Sequence, residues 1–312
     1  MKKIHCRILL ATTALSIAGF GCVNENREHH DPVVKLAFEP VMHVQVRSSA
    51  NSETTDEAPE TNTFGVSAWY LDEGISWSNG ADEAQAFLET SRLVQNGNFW
   101  YPESGIDWPS IQYKVTCIGF SPYEAIDACN QTDGVVFREV DTSVDPGDLR
   151  YTEPQTDLSK NRNGGIITLP MKPALCEVDF RVRGSVGYED TKVYVQKIVL
   201  NGLRLKGDFQ SLPSPTWVLG PEAESLTFFE GDLLVDYEPR AVGAARRIIP
   251  QKLNGTVSVE YEFETPSDDR LHQVETALSI ERNLEAGRQY TLTLMVSPTG
   301  AEIITETPSP TE

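Results

Sequence analysis

Apolar and polar residues alternate with period two along several stretches of the chain. Val257, Val259, Tyr261 and Phe263 are interleaved with Ser258, Glu260, Glu262 and Glu264. Cys176, Val178, Phe180 and Val182 are interleaved with Glu177, Asp179, Arg181 and Arg183. Tyr290, Leu292, Leu294 and Val296 form a third set, and Phe64, Val66, Ala68 and Tyr70 a fourth. Successive side chains of a strand point to opposite faces, so each set predicts a strand with one face in a core and the other in water. Helical periodicity is scarce; the candidates are 81–88 and 123–129, both short. Pro and Gly are scattered throughout as turn punctuation. The expected fold is all-β, built as antiparallel β-sandwiches.

The alternation lapses between 145 and 165. Asp145-Pro146-Gly147, Glu153-Pro154 and the run from Ser159 to Gly165 are rich in turn formers and poor in apolar residues. Such a stretch reads as a connector between domains. It predicts an N-terminal sandwich over 33–155 and a C-terminal one over 165–312. Residues 22–32 read as a polar tether, and 306–312 as a loose end.

The segment 33–46 is an amphipathic strand of unusual length. Leu36, Phe38, Met42, Val44 and Val46 share one face with Pro40, and Lys35, Ala37, Glu39, Val41, His43 and Gln45 share the other. Pro40 has no N–H to give a ladder, so the strand is expected on a sheet edge or with a bulge at the proline. Arg47 and Ser48 follow, and then a run to Asn62 too polar to pack, which reads as an exposed tether. If a protease cut after Arg47, the strand would lose its covalent tie to the domain it completes. Its departure would uncover an apolar groove and a row of unpaired backbone groups, a template for a strand from another chain. The plainer alternative is an uncut first strand of a stable sandwich, with Arg47 an ordinary loop residue.

Charge and the N-terminus add a location. Lys2, Lys3 and Arg7 precede a short apolar run from Ile8 to Phe20, and then come Gly21 and Cys22. That run is too short to span a bilayer and reads as a secretory signal peptide over 1–21. A small residue before a cysteine at this place looks like a bacterial lipoprotein processing site, with Cys22 acylated and left as the new N-terminus. Acyl chains then hold the protein to a membrane, each buried methylene contributing about 0.8 kcal/mol. A plain secreted protein is the alternative. The formal net charge is −20, and loss of the basic leader makes the remainder more acidic still. Such a chain has no basic stripe for nucleic acid.

Candidate chemistry is sparse. Beyond Cys6 and Cys22 the cysteines are Cys117, Cys129 and Cys176, read as buried free thiols, with a Cys117–Cys129 bridge as the alternative. The histidines show no ligand spacing with cysteines or carboxylates, so no metal and no cofactor is expected. Neither a Gly-x-Ser-x-Gly turn nor a phosphate-binding loop is present, and the chain does not read as an enzyme. Trp69, Trp77, Trp100, Trp108 and Trp217 read as packing residues, with a sugar-binding platform as the second reading.

The chain resembles the fimbrillin-like pilins of Bacteroides-type Gram-negative bacteria, which build type V pili. The resemblance rests on the strand ahead of Arg47, Phe64-Gly65-Val66, Trp100-Tyr101, Trp108-Pro109 and Asp148-Leu149-Arg150-Tyr151. It continues through 169–180, Ile248-Ile249-Pro250-Gln251 and 284–290. It implies two transthyretin-like β-sandwich domains in tandem and export to the outer membrane as a palmitate-bearing lipoprotein acylated on Cys22. It also implies cleavage between Arg47 and Ser48 by an arginine-specific protease, and filling of the vacated groove by a sister subunit's C-terminal segment, here 297–312. The implied function is that of a structural subunit of a cell-surface fimbria serving adhesion, with other pilins as partners. The alternatives are a non-polymerising anchor or tip subunit, and a monomeric outer-membrane lipoprotein that binds a glycan or a host protein.

Overall fold

The computed structural model describes residues 33–42, 63–161, 165–185, 191–265, 268–305 and 308–310. Strands dominate them. The first half runs β1 (Ala37–Met42), β2 (Phe64–Asp72), β3 (Gln85–Asn96), β4 (Phe99–Pro102), β5 (Tyr113–Ser121), β6 (Ala128–Asn130), β7 (Gly134–Asp141), β8 (Arg150–Tyr151), β9 (Gln155–Leu158) and β10 (Ile166–Pro173). The second half runs β11 (Cys176–Gly184), β12 (Lys192–Leu203), β13 (Lys206–Gln210), β14 (Thr216–Leu219), β15 (Glu224–Leu234) and β16 (Arg240–Ile248). It ends with β17 (Gln251–Thr265), β18 (Asp268–Leu284), β19 (Arg288–Ser297), β20 (Gly300–Thr305) and β21 (Ser309–Pro310). The two expected helices shrink to single 3₁₀ turns, Ala81–Glu83 and Tyr123–Ala125, and one turn of α-helix, Trp77–Gly80, lies just ahead of the first. The residues after each turn are drawn into a sheet, 85–96 on β2 and 128–130 on β7.

The second half is the simpler sandwich. One sheet has the order β16-β11-β19-β20, with β21 also on β19, and faces a second sheet of order β15-β12-β17-β18. The alternating residues read from sequence meet between them: Val178 and Phe180 of β11, Val257, Val259 and Tyr261 of β17, and Leu292, Leu294 and Val296 of β19 are all buried in one cluster. Phe180 packs edge-to-face on Phe228 at 4.7 Å. The Tyr261 hydroxyl, deep in this core, donates to Ser297 O at 2.8 Å.

The first half is more closed. Its eight-stranded sheet has the order β2-β3-β4-β1-β10-β8-β5-β9, and β2 also pairs β5, so the sheet curls round and meets itself. Inside lie Leu36, Phe38, Val66, Ala68, Val115, Cys117, Leu169 and Met171. A second sheet, β14-β13-β7-β6, covers the other face of β2 and β5, where Trp69, Ile118, Phe120, Phe137 and Phe209 form a separate cluster. β2 is therefore buried on both faces, with Ser67 and Trp69 covered as well as Val66 and Ala68. This corrects the expectation of one wet face for that strand. Gly65 belongs to the same layer, since a Cβ there would lie 2.3 Å from the Phe120 ring.

Hydrogen bonding does not divide the chain at 155–165. β10 lies beyond the expected connector, yet it pairs with β1 and β8. The hairpin β13–β14 reaches back to β7. Within the connector itself Leu149, Arg150, Tyr151 and Thr152 are buried. Thr152 exchanges bonds with the Gly119 backbone, accepting on Oγ1 at 2.9 Å and donating its own N–H at 2.9 Å. Turn-rich composition hid this, because a two-residue strand has no period to read. Most pairings are antiparallel, as expected, but β1–β10 and β11–β19 are parallel. Alternation along one strand carries no information about its neighbour's direction.

Candidate functional site: the berth of the first strand

β1 and the residues just before it fit a slot between β10 and the segment from β4 to Trp108. On one side β1 pairs β10 in unbroken parallel register, from Ala37↔Ile166 to Met42↔Met171. On the other, Phe38 pairs Trp100 of β4, Leu36 N–H donates to Ile106 O at 3.2 Å, and Val34 O accepts from Trp108 N–H at 2.9 Å. The strand is thus held on both sides, and the register passes through Pro40↔Leu169 without a shift. Both expectations for Pro40, an edge strand or a bulge, are corrected.

The tolerance of Pro40 has a geometric reason. Backbone polar groups of successive strand residues point alternately to the two neighbours. Those of Val34 and Leu36 point towards 106–108, so those of Phe38 and Pro40 share that side, while Ala37, Glu39 and Val41 serve β10. On the side that Pro40 faces, the pairing described for β1 is the single one at Phe38. The missing N–H falls where no ladder asks for it.

Side chains complete the berth. Leu36 and Phe38 have no exposed surface, and Met42 and Val34 pack half-buried against the same cluster. Ala37, assigned by alternation to the outer face, is buried too. Phe64 and Trp100 meet edge-to-face at 4.8 Å beside the strand. Trp108 is fixed by its Nε1–H to Gly165 O at 2.7 Å. Gly165 itself has φ +87, and a Cβ there would lie 2.6 Å from Val34 Cγ1, so both its backbone and its emptiness are required. At the rim, Lys35 Nζ lies 2.9 Å from Asp107 Oδ1 and donates to Gly105 O at 3.1 Å. Both partners are exposed, and such a pair contributes at most about 1 kcal/mol. Burial of Leu36 and Phe38 contributes more, about 1.5–3 kcal/mol each.

β10 depends on this strand. Apart from β1, the pairing described for β10 is at Lys172↔Tyr151 and Pro173↔Arg150, at its far end. Without β1, Ile167, Leu169 and Met171 would lose their cover and the backbone of 166–171 its ladder. The chain from Thr63 onward is anchored independently. At Thr63, the backbone O and Oγ1 both accept from Tyr123 N–H, at 3.1 and 3.0 Å. Thr63 Oγ1 also donates to Glu124, which holds that carboxyl below the ordinary carboxylate range.

The structure gathers Leu36, Phe38 and Met42 on one face; Val44, Val46, Arg47, Ser48 and Cys22 lie outside the described residues. The C-terminal segment is docked within its own chain. β20 runs antiparallel along β19 from Ser297↔Gly300 to Leu292↔Thr305, and β21 continues at Gln289↔Ser309. It is the outer strand of its sheet, with Ala301 and Ile303 half-buried against the second core. Cys117, Cys129 and Cys176 are free thiols. Burial pushes all three up, Cys129 and Cys176 to about 12. Among the described residues no group of three or more His, Cys, Asp or Glu is placed to hold a metal ion.

A second concavity brings together residues far apart in the sequence, among them Trp217, one of the tryptophans with a sugar-platform reading. A cleft of about 350 Å³ opens between the β13–β14 hairpin and the ends of β17 and β18, and Tyr151, Phe209 and Trp217 line it. These aromatics come from three separate elements, and no spacing along the chain announces that they meet.

The family model described as fimbrillin-like matches residues 52–310. No curated protein matches the chain in sequence. Among solved structures, the chain is similar to a fimbrial protein from Bacteroides vulgatus, with 15% identity and a TM-score of 0.67 over 87% of this chain and 98% of that one. It is also similar to a proposed cell adhesion protein from Bacteroides ovatus, with 14% identity and a TM-score of 0.52 over 90% and 98%. A comparable protein from Bacteroides uniformis gives 12%, 0.51, 90% and 98%. At such identities the likeness concerns the fold, which is shared along nearly the whole of each chain.

Proposed function

We propose that this chain, which belongs to the fimbrillin-like family, is a structural subunit of a cell-surface fimbria serving adhesion, and that it assembles by protease-triggered strand exchange. In this reading cleavage between Arg47 and Ser48 frees β1, and the 297–312 segment of a sister subunit takes its place. The protein is held at the outer membrane before processing by acyl chains on Cys22. Its work is mechanical rather than catalytic: backbone pairing and groove filling join the subunits.

One observation carries the proposal. β1 supplies two fully buried side chains, Leu36 and Phe38, to a core whose other strands all lie within the family-matched stretch 52–310. That stretch has its own anchor at Thr63, so a cut ahead of it removes a plug and leaves the frame tied. An open berth of this kind exposes apolar surface and an unpaired edge, which favours capture of another strand.

Digestion of the purified chain with an arginine-specific protease tests this directly. The expected result is a new N-terminus at Ser48 and a ladder of oligomers on native electrophoresis. A product cut at Arg47 that stays monomeric overturns the polymerisation reading. Mass spectrometry of the chain from its host is expected to find an acylated Cys22 or a free Ser48. The two-sided grip on β1 favours one other reading, a fimbrial anchor that keeps its first strand. An Arg47–Ser48 bond that resists digestion in the folded protein, with Cys22 acylated, identifies it.

A further inference from the structure

The cleft beside the β13–β14 hairpin is built differently from the surrounding surface. Its floor is a run of aromatic contacts: Tyr151 to Phe209 at 5.1 Å and Phe209 to Trp217 at 5.2 Å. Trp217 is fixed by its Nε1–H, which donates to Ala174 O at 2.9 Å, and its ring stays half-buried where it lines the cleft. The rim holds Lys252, Asn283 and Glu285, all exposed, with Asn283 Nδ2 donating to Glu285 Oε1 at 3.1 Å.

Tyr151 is the decisive member. It is 5% exposed, it lines the cleft, and its hydroxyl makes no hydrogen bond to any described residue. The ring is covered while the hydroxyl is not among the buried polar atoms, so it stays open to a ligand group in the cleft. Here the hydroxyl stands beside a fixed aromatic floor and a rim of amide, carboxylate and ammonium groups. A concave site with an apolar base and a few polar groups around it is the usual form of a small-molecule pocket.

We infer that this cleft is a binding site for a neutral saccharide. A pyranose ring has an apolar C–H face, which the indole of Trp217 accepts. Its edge carries hydroxyls that both donate and accept, which suits the Tyr151 hydroxyl, the Asn283 amide and the Glu285 carboxylate. The charge balance selects the neutral class. Lys252 Nζ is already paired with Glu281 Oε1 at 3.2 Å, so the Glu285 carboxylate leaves the rim acidic, and a chain of net charge −20 repels anionic sugars at longer range. None of the residues that line the site belongs to β1. It gives an adhesive role a chemical target.

Calorimetric titration of the intact chain with lactose, maltose, cellobiose and diacetylchitobiose tests the inference, with sialyllactose as the charged comparison. At least one neutral disaccharide is expected to bind with a Kd below about 10 mM, and to change the tryptophan fluorescence. Tyr151→Phe removes only the hydroxyl. It is expected to weaken that binding about three- to tenfold and leave the urea midpoint unchanged, because the hydroxyl has no protein partner to lose. Glu285→Gln, at an exposed position, is expected to weaken binding without affecting the fold. Failure of every neutral disaccharide to bind overturns the inference, as does tighter binding of sialyllactose than of lactose. So does a Tyr151→Phe chain that binds sugar as before.

Discussion

Leu36 and Phe38 of β1 keep no exposed surface, whereas Ala301 and Ile303 of β20, also turned towards a core, keep part of theirs. β1 is gripped by β10 on one side and by β4 and 106–108 on the other. β20 has β19 on one side and is the last strand of its sheet on the other. An outer strand with half-buried side chains opens locally, at a fraction of the global unfolding free energy. A strand inside a closed sheet leaves only when the sheet around it parts. If the two are the plug and the donor of one exchange, the tail is the end that moves readily, and the berth is the end that needs a cut. Cleavage at Arg47 would remove the covalent tie to β1 but none of its packing. The incoming strand must therefore match what Leu36 and Phe38 supply, and on one face the described tail offers Ala301 and Ile303.

The largest expected effect tests the tighter of the two strands. Phe38→Ala removes a fully buried ring from a core bounded by Phe64, Leu169 and Met171, and is expected to destabilise the protein by about 3–5 kcal/mol. Ile303→Ala removes a half-buried side chain from an outer strand, and about 1–2 kcal/mol is expected. Urea unfolding of the two variants measures both. Equal losses would break the comparison, since they would make the tail as firmly held as the first strand. Hydrogen exchange sharpens it: amides of β20 should exchange before those of Ala37, Glu39 and Val41.

The same contrast explains what could be read from the chain beforehand. β11, β17 and β19 each bury one face, so their period is visible and their core residues were named correctly. β2 lies between two clusters; Trp69 reads as a packing residue, but the sheet it packs against cannot be inferred from one strand. The inward set Leu36, Phe38 and Met42 was legible, but not the neighbours of β1. Those are set by β10, across more than a hundred residues of chain, and by the short pairing at Trp100. Pro40 misled for the same reason, since a proline forbids a donor on one side only and the sequence does not say which side faces a ladder. The aromatic cleft was illegible because Tyr151, Phe209 and Trp217 converge only after β13 crosses to β7.

Pro40 supplies the smallest and most discriminating effect. If its nitrogen faces the side where pairing has already ended, replacing it by alanine restores an N–H that no strand awaits. The substitution then acts mainly through the unfolded chain, whose freedom it increases, and a loss of about 0.5–1 kcal/mol is expected. If instead the nitrogen interrupts a continuous ladder, the new N–H completes a bond. The variant would then gain about 1 kcal/mol from the bond, enough to offset the entropic loss. Urea midpoints at matched slopes distinguish the two cases by sign. A Pro40→Ala chain more stable than its parent would mean that β1 is bonded along its whole length on both sides. The strand would then be a fixed element of the sheet, and a subunit built around it would have no plug to release.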